Sequence, residues 1–111
     1  MKIAIYCRVG NPSQLSEGIM EHKSEALNVL AKKHGHPIEC AVQEYGRAGD
    51  FQRGGLDKIS DIVESGKIDA VLVDDISEIG RGFFKIHKYL GYLQKKNVRL
   101  LQANVLNRHL Y

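Results

Sequence analysis

The hydrophobic and polar positions along the chain follow two alternating spacings, one typical of strands and one typical of helices. Short apolar segments rich in β-branched residues predict four strands, at Lys2–Val9, Ile38–Gln43, Ile68–Val73 and Val98–Ala103. Between them, apolar residues recur every three or four positions, which predicts helices over Ser16–His34, from Leu56 to Gly66, and over Phe83–Lys96. The residues from Asn104 onward fit neither spacing.

This strict alternation of strand and helix predicts the fold class. We expect an α/β fold with three layers, in which a mostly parallel sheet of four or five strands carries helices on both faces. Ligands of such sheets bind beyond the carboxyl ends of the strands. The loops that leave those ends are therefore the candidate site, and they are Arg8–Leu15, Glu44–Gly55 and Asp74–Gly82.

Length and composition place the chain among single globular domains. Its 111 residues suit one domain, which we expect to span residues 1–111. No apolar segment is long enough for a membrane span, and the N-terminus is too short in its apolar part for a secretion signal, so we expect a cytoplasmic protein. Cys7 and Cys40 lie in predicted strands and are expected to be reduced core thiols.

Charge is distributed unevenly along the chain. The formal net charge is only +3, yet the segment from Gly80 to Tyr111 holds no acidic residue and seven of the sixteen basic ones. Such asymmetry points to a polyanion, and to nucleic acid first. A solvated helix face would produce the same pattern, and the sequence alone leaves that alternative open.

Arginines occur in all three candidate loops, among them Arg8, Arg53 and Arg81. The planar guanidinium group suits phosphate recognition, and several of them around one phosphate can stabilise the charge that develops during its displacement. Alternatively, each arginine pairs with a nearby surface acid, as Arg81 could with Glu78 three positions before it. The composition of the loops does not decide between these interpretations.

Three segments at these loops match the motifs of a known family in order and spacing. The first strand ends in Ile5–Val9 (IYCRV), followed by Gln14; Arg53–Leu56 (RGGL) leads into the second helix; and Val73–Gly82 follows the third strand. Together they resemble the serine site-specific recombinases, the resolvase and invertase group. Almost the whole chain is covered by this resemblance.

The resemblance implies a reaction and a set of site residues. In that family a serine hydroxyl attacks a DNA phosphodiester, forming a phosphoserine link and freeing a 3′ hydroxyl, without metal or nucleotide cofactor. By the same resemblance, Arg8 and Arg53 bind the phosphate, and Gln14 supports the active-site loop. Val73–Gly82 lies where the family carries its third motif, Asp-Arg-Leu-x-Arg, and Arg81 matches the last arginine of that motif. The implied function is that of a catalytic domain in DNA recombination.

The sequence departs from the family at chemically important positions. Gly10 occupies the position of the nucleophilic serine, Ser77 replaces an aspartate, and Glu78 replaces the first arginine of the third motif, where a carboxylate would repel a phosphate. Ser13 could in principle supply a replacement hydroxyl. We therefore expect strand cleavage to be absent or negligible. The alternative function is a non-catalytic pseudoenzyme that binds DNA phosphates or dimerises with an active recombinase.

Two further expectations concern partners. Family members continue past the fourth strand into a long helix and a DNA-binding domain, whereas this chain stops at Tyr111, so we expect no C-terminal DNA-binding domain and only weak, salt-sensitive attraction to DNA. In the third helix we expect Phe83 to point into the core, and Phe84, Tyr92 or both to be partly exposed. Such a patch favours a homodimer or a heterodimer with a recombinase.

Overall fold

The order of elements in the computed structural model follows the predicted alternation. The structure describes residues 1–10, 18–45, 54–80 and 82–106, with the side chains of residues 54 and 55 excepted. The strands are β1 (Ile3–Val9), β2 (Ile38–Tyr45), β3 (Ala70–Val73) and β4 (Arg99–Gln102). The helices are α1 (Ile19–Lys33), α2 (Gly54–Glu64), α3 (Phe83–Lys95) and the short α4 (Ala103–Leu106), and a 3₁₀ turn at Ile76–Glu78 follows β3.

All four strands are parallel, in the order β2-β1-β3-β4. The chain moves from β1 outward to β2, then crosses back to place β3 on the other side of β1. The strand order therefore reverses between β1 and β3, which is the position where open α/β sheets bind ligands. The predicted α/β fold with a parallel sheet is confirmed, and the prediction of four or five strands is met by four within the described residues.

Burial on both faces explains why β1 and β3 are almost continuously apolar. Side chains alternate between the two faces of a strand. In β1, Ala4 and Tyr6 pack with residues of α2 and α3, whereas Ile5 and Cys7 pack with α1. The sheet thus separates two cores, and the protein has the expected three layers.

Both cysteines are free thiols. Cys7 is fully buried in β1, and burial, reinforced by the negative charge of Glu78, raises its pKa to about 12. Cys40 is half-buried in β2, and burial also raises its pKa. Neither thiol carries the charge of a thiolate near neutral pH, which fits their placement in and against the core.

The expectation for Phe83 is wrong. Its side chain is 70% exposed, and that of Phe84 is 85% exposed. Phe83 instead packs edge-on against Phe84 and against the ring of His87, 4.1 Å away between centroids. Length explains this exposure: the thirteen residues of α3 span about 20 Å, whereas the four residues of β4, the strand that α3 contacts, span about 13 Å. This strand therefore cannot cover all of α3.

The C-terminal half of α3 is the part that packs. Leu93 is buried, and the Tyr92 hydroxyl donates a hydrogen bond of 2.7 Å to Glu64 Oε1 on α2. The same carboxylate, through Oε2, pairs with Lys96 Nζ at 3.0 Å. Tyr92 is therefore half-buried against α2 rather than part of an exposed patch. None of the helices in the described ranges is both long and apolar enough to cross a membrane.

Candidate functional site

The carboxyl ends of β1 and β3 form one edge of the sheet, and Arg8 and Gly10 lie at that edge. Arg8 is half-buried near the end of β1, in register with Glu44 of β2, and Gly10 follows the strand as an exposed residue. Tyr6 lies two residues before Arg8, on the same face of β1, and its hydroxyl donates a hydrogen bond of 3.5 Å to Glu44 Oε2. This contact links the ends of β1 and β2.

Three of the five predicted site residues fall outside the described residues: Gln14, Arg53 and Arg81. The convergence of Arg8, Arg53 and Arg81 on one phosphate therefore stays a prediction. The structure does show where the three candidate loops begin. β1 lies between β2 and β3, and all three strands end at the same edge of the sheet. In the described ranges, no three side chains of the types that ligate metals come together.

An ion pair that the sequence did not predict lies at this edge. Lys23 Nζ, in the N-terminal half of α1, contacts Glu78 Oε1 at 2.5 Å and the main-chain oxygen of Arg8 at 3.4 Å. The Glu78 side chain is 4% exposed and that of Lys23 is 28% exposed. One ammonium group thus connects α1, the end of β1 and the turn after β3.

The turn that carries Glu78 is held by β4 as well as by its own residues. Asp75 Oδ2 accepts a hydrogen bond of 3.0 Å from the main-chain N–H of Ser77, which caps the turn. Hydrogen bonding from the Ser77 side chain, and then from its main-chain N–H, lowers the pKa of Asp75. The main-chain N–H of Ile76 donates to Gln102 Oε1 at 3.1 Å. These contacts place the Glu78 carboxylate beneath Lys23 instead of in solvent.

Burial is the largest influence on the Glu78 carboxyl, and it raises the pKa of that group. The hydrogen bond and positive charge of Lys23, together with the charge of Arg8, act in the opposite direction, while Asp74 adds to the increase. A carboxylate this deeply buried needs such a partner, because an uncompensated buried charge is strongly unfavourable.

The structure therefore changes the interpretation of Glu78. From the sequence it was a surface acid that could pair with Arg81 or repel a phosphate; in the structure it pairs with Lys23 and is turned inward. The two residues lie 55 positions apart, so no local spacing relates them. One signal was present: Lys23 interrupts the stripe that runs from Met20 to Leu27 on the core-facing side of α1.

Comparison with known proteins supports the family suggested by the motifs. Residues 3–109 match the sequence model of the family described as "Resolvase, N terminal domain". The fold is similar to that of the C-terminal catalytic domain of ISC1926 TnpA, an IS607-like serine recombinase (TM-score 0.85, 20% identity, covering 93% of this chain and 70% of that one).

Two other solved structures share the fold. They are the N-terminal catalytic domain of TP901-1 integrase (TM-score 0.81, 20% identity, 94% and 78% coverage) and a resolvase family site-specific recombinase from Streptococcus pneumoniae (TM-score 0.80, 21% identity, 94% and 72% coverage). At these identities the structural likeness establishes the fold, and the sequence match over nearly the whole length establishes the family. The chain belongs to the resolvase N-terminal domain family.

Proposed function

We propose that this chain is the recombinase domain of a site-specific DNA recombination system, and that it binds DNA phosphates without cleaving them. Membership of the resolvase family supports the role in recombination. The proposal that the chain does not cleave DNA rests on Gly10, which follows β1 near Arg8 at the edge where the strand order reverses. Glycine has no side-chain oxygen, so it cannot form a phosphoserine link.

The same edge retains the means to bind a phosphate. Arg8 is held there by β1. The family resemblance also assigns Arg53 to the phosphate, and Arg81 matches the last arginine of the third motif. Guanidinium groups bind phosphate oxygens through two parallel hydrogen bonds, an interaction that does not require the attacking hydroxyl. Loss of the nucleophile therefore removes the reaction without removing the attraction for DNA.

Equilibrium binding to a fluorescent DNA duplex at increasing salt tests this function. If about three phosphates are contacted, the affinity should fall roughly 40-fold between 50 and 200 mM salt, because each contact releases a condensed counterion. Arg8→Gln should weaken binding and lower the salt slope by about one. Absence of binding at low salt, or an affinity independent of salt, would contradict the proposal.

Arg99→Gln is the matched control for that experiment. Arg99 is exposed at the first residue of β4, which places it at the amino edge of the sheet, opposite Arg8. The substitution removes the same charge and leaves the proposed phosphate site intact. An equal loss of binding for both variants would mean that only the overall charge of the protein matters.

A second candidate function is self-association or pairing with an active recombinase. The observation that favours it is the adjacent pair Phe83 and Phe84, whose rings are largely exposed at the start of α3. Two large apolar side chains next to each other on a surface are typical of a contact site. This function is compatible with DNA binding and does not replace it.

Sedimentation equilibrium tests this second function. We expect a monomer–dimer equilibrium that Phe84→Ser shifts toward the monomer by tenfold or more, since burying a phenylalanine contributes about 1.5–3 kcal/mol. Val29→Ser is the control, because Val29 is 53% exposed on α1, away from the pair. A chain that is monomeric at high concentration, both alone and mixed with a full-length recombinase, would refute the idea.

A further inference from the structure

Lys23 is placed as a binding residue would be, although none of the family motifs includes it. It lies in the N-terminal half of α1, and α1 connects the carboxyl end of β1 to the amino end of β2. Its ammonium group contacts the main-chain oxygen of Arg8, the residue that marks the proposed phosphate site. Lys23 therefore adds a positive charge to the edge where β1 and β3 end.

In the ion pair, Glu78 is the buried member and Lys23 is the partly exposed member. The Glu78 side chain is 4% exposed, whereas 28% of the Lys23 side chain remains accessible. The carboxylate is thus enclosed by protein, while part of the lysine side chain remains open to solvent. Of the two charged residues, Lys23 is therefore the one that a ligand can reach, and the carboxylate holds its ammonium group in position.

The hydrogen-bonding capacity of Lys23 also suits this role. An ammonium group has three N–H donors. Across the part of the chain that the structure describes, its acceptors are Glu78 Oε1 and the Arg8 oxygen. A third donor is thus available to an oxygen of a ligand, and a lysine held at two points loses less side-chain entropy on binding than a mobile surface lysine.

We propose that Lys23 contacts a DNA phosphate together with Arg8, and that Glu78 is the positioning residue that holds Lys23 in place. This inference rests on the proposed DNA-binding function and names a residue of the same site. It assigns Glu78 a supporting role, because the negative charge stabilises the position of the lysine while remaining covered.

The test compares DNA binding of the unmodified chain with that of the double variant Lys23→Gln/Glu78→Gln. The double variant has the same net charge as the unmodified chain and retains two polar side chains of similar size. We expect its affinity at low salt to be about threefold to tenfold lower, and its salt slope to be smaller by about one, since one phosphate contact is lost. Far-UV circular dichroism and urea unfolding verify that it is folded.

Lys33→Gln is the control for loss of a lysine charge. Lys33 is exposed in the last turn of α1, at the opposite end of the helix from Lys23. Its removal should leave the salt slope unchanged. Lys23→Gln alone should reduce the slope as the double variant does.

The outcomes separate this inference from the proposed function. If the unmodified chain fails to bind DNA at low salt, the proposed function fails and the inference with it. If the unmodified chain binds with the expected salt dependence, but the folded double variant matches it in affinity and slope, the proposed function stands. In that case Lys23 serves only to neutralise Glu78, and the inference is overturned.

Discussion

No covalent protein–DNA adduct is expected when this chain is incubated with duplex DNA and the products are separated on a denaturing gel. Covalent cleavage needs a nucleophilic oxygen at the end of β1, and Gly10 supplies none. Removal of the nucleophile from a well-studied serine hydrolase lowers the rate about 10⁶-fold, or about 8 kcal/mol of activation free energy. A loss of that size puts cleavage below detection.

Gly10→Ser should restore little of this activity. The substitution returns the hydroxyl, but position 78 still carries an inward-facing carboxylate where the family's third motif has an arginine. Removal of a group that stabilises developing charge typically reduces the rate by 10²–10³, so we expect adduct formation to stay at least about 100-fold below that of a full recombinase. Gly10→Ala controls for the added side chain.

One result would contradict the loss of cleavage directly. An adduct formed by the unmodified chain would show that another hydroxyl has taken over the attack. Ser13 is the sequence's own candidate, so Ser13→Ala would then have to abolish the adduct. The role of Gly10 would in that case be structural, and the site would belong to an active enzyme.

Lys23→Gln is expected to destabilise the protein by about 2–3 kcal/mol near pH 8. Breaking a fully buried ion pair by removing one partner costs about 3–5 kcal/mol, because the remaining charge is left uncompensated. The smaller value applies here since 28% of the Lys23 side chain is exposed and water screens the pair from that side. Urea unfolding followed by circular dichroism measures the change in free energy of unfolding.

The destabilisation should depend on pH in a defined direction. The pKa of Glu78 is higher in the folded chain than its ordinary value of 4.5. At pH values between these two pKa values, the folded state keeps a proton on Glu78 that the unfolded state has released. Stability therefore decreases as the pH rises from about 4.5 through the folded-state pKa. Without Lys23, which lowers this pKa, the decrease extends to higher pH. The effect of Lys23→Gln should accordingly be smaller at about pH 5 than at about pH 8.

A double-mutant cycle identifies the pair as the cause. Glu78→Gln removes the buried charge, so the double variant Lys23→Gln/Glu78→Gln should be more stable than Lys23→Gln alone near pH 8. Lys33→Gln should change stability by no more than about 0.5 kcal/mol, as expected for an exposed residue. Equal effects of Lys23→Gln and Lys33→Gln at all pH values would show that the pair contributes nothing.

Much of the fold could be predicted because local patterns determine it. The apolar strands and the helical stripes of α1 and α2 follow from side-chain periodicity, and each predicted element occurs within a few residues of its expected limits. The Phe83 prediction failed because periodicity describes which face of a helix is apolar and not how far the sheet extends beneath it. The short α4 had too few residues to show a period.

The candidate site was predictable only in part, for a related reason. Motif order identified Arg8 and Gly10, which the structure places at the edge where β1 and β3 end. The pairing of Lys23 with Glu78 could not be predicted in this way, since it joins two residues that are distant in the chain. A lysine within an apolar stripe and an acid after a buried strand each have many possible partners until the fold brings them together.

By itself, the sequence determined the alternation of strands and helices, the family motifs and the absence of a hydroxyl at Gly10, because these are properties of side-chain type and local spacing. Only the tertiary structure decided that Glu78 is buried, that Lys23 neutralises it, and that Phe83 and Phe84 are exposed. Whether a side chain is buried or exposed depends on which segments pack against it, and those segments are distant from it in the sequence.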